Sequence, residues 1–253
     1  MEQQPGRVYL VGAGPGDVSY LTMQAREILA IAQVLVYDAL VDERLLDLVP
    51  ADCQHIAVGK RGGQPSTPQA EINQLLVQHG QHQRVVRLKS GDPFIFGRCM
   101  AEIQALQAAG CEFDVVPGLS TALTAPLLAG IPLTDPVLSR SFAVATAHDV
   151  DALNWSALAQ METLVLLMAT RNLAEIIDRL QHQGRSLQTP IAIIRWAGQP
   201  QQQVWTGTLQ TILQQTSRQA LSPAVVVIGA VVGLRPFLQP QEVGQEAGQD
   251  SEP

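Results

Sequence analysis

Two periodicities alternate along the chain. Short runs rich in Val, Ile and Leu, "VYLVG", "QVLVYD", "HIAVGK", "RVVRLK", "FDVVPG", "FAVATAH", "TLVLLMAT", "PIAIIRW" and "PAVVVIGAVV", each have the length of a strand. Between most of them lie longer segments, "SYLTMQAREILAIA", "TPQAEINQLLVQHG", "CMAEIQALQAAG" and "NLAEIIDRLQHQG", in which apolar residues return every three or four positions, as on one face of a helix. Near-continuous apolar strands joined by helices predict an α/β chain built on mainly parallel or mixed sheets flanked by helices. The segment "VVPGLSTALTAPLLAGIPLTDP", crowded with Pro, Gly, Ser and Thr, breaks the alternation and leaves four or five strands on either side. Two domains are predicted, residues 7–117 and 118–238. A flexible start at 1–6 and a polar, disordered tail at 239–253 are expected to flank them.

At 253 residues, 46% of them hydrophobic, the chain has enough apolar side chains for two cores. Its formal net charge of -7 gives no reason to expect nucleic acid or an anionic membrane as a partner, since both favour a broad basic surface. Three cysteines, Cys53, Cys99 and Cys111, include no C-x-x-C pair. They make neither a zinc site nor a disulfide framework, which suits a reducing compartment. The start "MEQQPGR" lacks a signal-peptide pattern, and no run approaches the ~18 apolar residues of a membrane span. The expectation is a soluble, cytoplasmic protein.

The turn in "VYLVGAGPGD" sits where a dinucleotide cradle would. Gly12 and Gly14 fit G-x-G-x-x-G, but Asp17 occupies the place of the third glycine. Pro15 has no N–H for a phosphate, and a carboxylate at Asp17 would repel a pyrophosphate; Asp17 reads better as the N-cap of the helix that follows. Asp38, ending "VLVYD", stands about where a ribose-binding acid would, so a nicotinamide-dependent oxidoreductase is a competing reading that Pro15 and Asp17 oppose. Further glycine-rich turns, "VGKRGG", "RLKSGDPFIFGR" and "VVPGLSTA", also follow strands. In a parallel sheet they share one rim, outside the carboxyl ends of the strands where ligands bind. Lys60 and Lys89, the only lysines, fall in these loops with Arg61, Arg87 and Arg98 nearby, and predict local positive charge for an anionic substrate.

Taken in order, "VGAGPGD", "YDALV", "VGKRGG", "LKSGDPFIFGR", "VPGLSTA" with "AGIPLTDP", "TLVLLMAT" and "SPAVVVIGAVV" resemble the motifs of the tetrapyrrole methyltransferases, over roughly residues 7 to 238. The resemblance implies a two-domain fold unrelated to Rossmann-type methyltransferases, a homodimer, and S-adenosylmethionine bound between the domains, with S-adenosylhomocysteine as by-product and no metal. It also implies two successive methyl transfers to uroporphyrinogen III, at C2 and C7, giving precorrin-2 by way of precorrin-1 on the route to sirohaem and cobalamin-type products. A methyltransferase for a later corrin precursor and a catalytically silent tetrapyrrole-binding protein are the alternatives within reach of the same motifs.

By the same resemblance Asp38 is the proton acceptor and Lys60 the proton donor. Asp38 is otherwise a helix cap or loop acid, and Lys60 otherwise a partner for one of the eight carboxylates of the substrate. Cofactor contacts map onto Pro15, Ser90, Gly91, Asp92, Ile95, Ser120, Thr121, Met168 and Ala197, with plain core packing as the other reading of Met168. Arg61, Arg98 and His148 are candidate substrate contacts, Arg98 because a guanidinium fork suits carboxylates; His148 is equally open to a structural role. The chain departs from the family pattern at Ser90, at Cys99 and Met100, at Ala147, and at Ala197 with Gly198.

Overall fold

The computed structural model describes residues 6–59 and 67–238. The first half of the chain runs β1 (Arg7–Gly12), α1 (Met23–Leu29), β2 (Val34–Tyr37), β3 (Gln54–Ala57), α2 (Gln69–Gly80), β4 (Arg84–Lys89), α3 (Cys99–Ala108) and β5 (Phe113–Val116). Its five strands form one sheet in the order β3-β2-β4-β1-β5, parallel at every pairing. Alternate side chains feed two cores, as the two-residue period of a strand requires. Val8, Leu10, Val34, Val36 and Val85 face one layer, and Val11, Leu35, Tyr37, Val86 and Leu88 the other.

The second half runs α4 (Thr121–Leu128), β6 (Phe142–Thr146), α5 (Trp155–Gln160), β7 (Thr163–Leu167), α6 (Leu173–His182), β8 (Pro190–Arg195), β9 (Gln203–Thr208), α7 (Ile212–Gln215), β10 (Ala224–Ile228) and α8 (Arg235–Leu238). Its sheet, β6-β7-β10-β8-β9, is mixed: β6 and β7 are parallel, and the other three pairings are antiparallel. Leu164, Leu166, Ile191, Ile193, Val226 and Ile228 pack against α5 and α6 on one face. On the other face Val165, Ala192, Ile194, Val225 and Val227 meet Ala122, Ala125 and Ala129 of the α4 region.

The structure differs from the sequence reading at three elements. Strand β9, "QVWTGT", interleaves polar with apolar residues and is only partly buried at a sheet edge, so it shows no continuous apolar run. The turn from β8 into β9 is too short for a helical crossover, and the pair is therefore antiparallel. The crowded segment after Val116 contains helix α4, whose small residues pack closely on the second sheet; its Pro126 hides the helical pattern. Of the expected flexible start, residues 1–5 lie outside the described residues, as does the tail at 239–253, while Gly6 is buried against the backbone of Gly80 and His82. No helix among the described residues is long and apolar enough to cross a membrane.

The loops after β1, β4 and β5 are joined by their backbones. Gly14 N–H donates to Gly91 O at 3.2 Å, Gly91 N–H returns a bond to Gly14 O at 2.9 Å, and Ala13 N–H donates to Lys89 O at 2.7 Å. A Cβ placed on Gly118 would lie 2.3 Å from Gly91 O, and one on Gly12 2.5 Å from Gly118 Cα. Only glycine permits that approach. Gly118→Ala is expected to lower unfolding stability by about 1–3 kcal/mol through overpacking. Gly233, with open space where a Cβ would go, is the control: Gly233→Ala should change stability by less than about 0.5 kcal/mol. Urea midpoints of the two variants check the contrast.

Candidate active site

All five strands of the first sheet end on one edge, and in the second sheet β6, β7 and β8 run the same way. The two edges meet. Asp17 N–H donates to Gly198 O at 3.0 Å, and a Cβ on Gly198 would come within 3.4 Å of Pro15 Cγ. An open groove of about 690 Å³ lies along this meeting line, bounded by Ala39–Arg44 from the first sheet and by Trp196 and Gln199–Gln201 from the second. Its volume is in the range of small-molecule sites.

Among the described residues four that are not glycine have left-handed backbones: Phe96 and Arg98 in the loop after β4, Met168 at the end of β7, and Trp196 at the end of β8. Such conformations cost of order 1–3 kcal/mol each and cluster at functional sites. Here all four sit in loops leaving the carboxyl ends of strands, on the edges that face each other.

The cofactor candidates fall into groups on these edges. Pro15 is buried beside Gly198, next to Ala197. Gly91, at φ +72°, lies against Thr121, where an added Cβ would be 3.0 Å from Thr121 Oγ1. Ser120 caps α4 with its carbonyl, which accepts from Leu123 and Thr124 N–H, and Ser90 is half-buried at the end of β4. Asp92 Oδ1 accepts from Phe94 N–H at 2.9 Å and Oδ2 from Gly118 N–H at 3.2 Å, so this carboxylate shapes the loop and ties it to the one after β5. Ile95 is exposed in that loop. Met168 is 48% exposed, with Thr146 Oγ1 directed at its sulfur from 4.0 Å, and core packing does not describe it.

Asp38 follows β2 directly and precedes the groove-lining residues. Its side chain is 32% exposed, and Oδ1 accepts from Arg87 Nη2 at 2.5 Å. It caps no helix with its side chain. The cap described nearby is Asp42, over a 3-10 turn at Glu43–Leu48. Asp17 does act as an N-cap, accepting from Ser19 N–H at 2.9 Å, but over a 3-10 turn; α1 itself is capped by Thr22. Arg98 and His148 are exposed, the one before α3 and the other after β6. Lys60 and Arg61 lie outside the described residues.

The expected positive rim needs a correction. Arg87 and Lys89 are 3% exposed in their side chains and point away from solvent, into the layer beneath α2 and α3, where they meet Glu102 of α3 at 0% exposure. Arg87 Nε donates to Glu102 Oε1 at 3.0 Å; Lys89 Nζ donates to Oε1 at 2.9 Å and Oε2 at 3.0 Å. Burial opposes the charge on Arg87, but Asp38 and Glu102 outweigh it and hold the guanidinium above its ordinary value. Sequence reading missed Glu102, although its position carried a signal. In "CMAEIQAL" it shares a helix face with Cys99, Ile103 and Leu106, all buried, and a carboxylate on an apolar stripe requires a buried cation.

Breaking this cluster is costly because it leaves cations uncompensated under the sheet. Glu102→Gln is expected to lower stability by about 3–5 kcal/mol, read from the shift of a urea unfolding curve. Burial, and secondly Glu102, push the Cys99 thiol up to about 11. At pH 8 only about one Cys99 in a thousand is then thiolate. Peptide mass spectrometry should find Cys99 unmodified by iodoacetamide in the folded protein and alkylated once denatured.

Residues 7–213 match the family model described as Tetrapyrrole (Corrin/Porphyrin) Methylases. The chain is 63% identical over 233 residues to a uroporphyrinogen-III C-methyltransferase of Synechococcus elongatus, covering 92% of this chain and 96% of that protein. It is 49% identical over 234 residues to siroheme synthase 1 of Pectobacterium atrosepticum, covering 90% of this chain and 48% of the relative, and so spans about half the length of that protein. A crystal structure of uroporphyrin-III C-methyl transferase from Thermus thermophilus complexed with S-adenyl homocysteine superposes with a TM-score of 0.78 at 36% identity, covering 90% of this chain and 93% of that one. With the family model spanning most of the chain and both sheets of the fold accounted for, the protein belongs to the tetrapyrrole methylases.

Proposed function

We propose that the protein is an S-adenosylmethionine-dependent C-methyltransferase that adds two methyl groups in succession to pyrrole carbons of uroporphyrinogen III, giving precorrin-2 by way of precorrin-1. The observation that carries the reading is the position of Asp38: a partly exposed carboxylate, fixed by a buried arginine, one residue before the segment that lines a groove between two sets of strand ends. The match at 63% identity over nearly the whole of a protein of that name supports the choice of substrate.

The residues on the facing edges fit the cofactor. Glycine at 12, 91 and 118 brings three backbones closer than side chains would allow, and Pro15, Ser90, Gly91, Asp92, Ile95, Ser120, Thr121, Met168 and Ala197 are distributed over the loops at these strand ends. When bound, S-adenosylmethionine supplies an electrophilic methyl on a sulfonium and leaves as the neutral thioether, S-adenosylhomocysteine.

The protein's own part is positioning and proton transfer. Walls from both sheets hold the pyrrole carbon in line with the methyl. As the carbon–carbon bond forms and the sulfur–carbon bond breaks, the ring is left one proton too many, and Asp38 accepts it. Lys60 is the proton donor in this reading, on resemblance alone. We read Arg98, exposed before α3, and His148, exposed after β6, as contacts for substrate carboxylates. We read residues 7–117 as the domain carrying Asp38 and 118–238 as the domain completing the cofactor cleft. The exposed leucines of the α4 region, Leu119, Leu123 and Leu127, recur at four-residue spacing and support a homodimer; a cytoplasmic location belongs to the same reading.

Anaerobic incubation with uroporphyrinogen III and methyl-labelled S-adenosylmethionine tests the proposal. Two methyl groups should appear in the product by mass, and Asp38→Ala should slow turnover by about 100-fold or more while still binding S-adenosylhomocysteine. Cofactor binding without methylation of uroporphyrinogen III would shift the reading to a later corrin precursor.

A further inference from the structure

Four charged side chains form one continuous chain beneath the groove: Asp38, Arg87, Glu102 and Lys89. The sheet register explains why. Arg87 and Lys89 are two residues apart on β4 and share the face that Val85 presents to the core beneath α2 and α3. Arg87 pairs in register with Val36 of β2, two positions before Asp38, so Asp38 emerges on the same face beside it. Glu102 comes down from α3 onto both cations.

Its charges decide what the cluster does. Two buried cations face one buried glutamate, and among the described residues the remaining positive charge is balanced by Asp38, next to the groove-lining segment Ala39–Arg44. Moving the Asp38 carboxylate off Arg87 would leave an unbalanced cation in the core, which is strongly unfavourable. Asp38 is therefore held through Oδ1, while Oδ2 has no hydrogen-bond donor among the described residues. Arg87 is suited to the task because its fork spans both partners: Nη2 reaches Asp38, Nε reaches Glu102, and Nη1 donates to Leu88 O at 3.3 Å. A lysine ammonium is a single point and cannot bridge that span.

The geometry points to Arg87 as the positioning residue for the proton acceptor, anchored in turn by Glu102, so that one oxygen of Asp38 is locked and the other is presented to the substrate. This rests on the reading of Asp38 as proton acceptor, and the experiment separates the two. Methyl transfer to uroporphyrinogen III is measured for the full chain and for Asp38→Asn, Arg87→Lys, the double variant and Asp38→Glu, with S-adenosylhomocysteine binding followed by calorimetry.

Arg87→Lys keeps a buried cation and should lower kcat by about 10-fold or more, with cofactor affinity unchanged. The double variant should be no slower than Asp38→Asn, because Arg87 acts only through Asp38. Asp38→Glu, which keeps every charge but displaces the carboxylate by one methylene, should also lose kcat with cofactor binding intact, and it decides the matter if Arg87→Lys does not fold. Wild-type kcat in Arg87→Lys or Asp38→Glu, or losses that add in the double variant, would overturn the positioning role while a slow Asp38→Asn left the acceptor role standing. Wild-type kcat in Asp38→Asn would overturn both.

Discussion

Gly14 and Gly91 exchange backbone hydrogen bonds across the ends of β1 and β4, and the backbone of Gly118 sits so close to both loops that no side chain fits between them. Three loops that would otherwise move separately become one surface. It carries Pro15, Asp17 and Asp92, and against it pack Thr121 and the turn at Ala197–Gly198. The second sheet is attached to the first through this surface, by the bond from Asp17 N–H to Gly198 O and the close packing of Gly16 on Gly198 and Gln199. Without the glycine contacts the two sets of strand ends would have no common floor, and the groove between them would lose its shape.

Beneath that floor the fold accepts an expensive feature. Buried ion pairs seldom stabilise more than well-packed apolar residues would, because both charges lose their hydration. Here the cluster is fully enclosed except at Asp38, the one member that is partly exposed, next to the groove-lining segment Ala39–Arg44. Left-handed backbones at Phe96, Arg98, Met168 and Trp196 show the same distribution of cost, all on the two edges that face each other. Polar burial and backbone strain concentrate where the chain meets its ligands, and apolar packing in the four side-chain clusters of the two sheets sustains both.

Much of this was legible in the sequence, because strands with buried faces, such as β1, β4, β7, β8 and β10, declare themselves as apolar runs. The elements that escaped did so for physical reasons. Strand β9 is an edge strand with a half-polar face, and α4 is built from Ala, Thr and Pro that read as a linker until they meet the second sheet. Asp17 was recognisable as a cap from its place after a glycine turn, although what it caps is a single 3-10 turn. Arg87 and Lys89 were misplaced on the rim because sequence alone gives their position at a strand end but not the face they occupy; the apolar stripe around Glu102 was the clue to their burial. The grouping of Pro15 with Ala197 and of Gly91 with Thr121 joins residues far apart in the chain, which no local pattern encodes.

The central claim is that one ligand site is shared by the strand ends of both sheets. Hydrogen exchange of the full chain with and without S-adenosylhomocysteine addresses it most directly. Added ligand should slow exchange together in residues 12–22, 89–98 and 118–124 and in residues 166–170 and 195–199, because the two groups of loops close one cleft. Protection confined to one sheet, or appearing at the opposite edge around residues 206–208 and 232–236, would contradict the account.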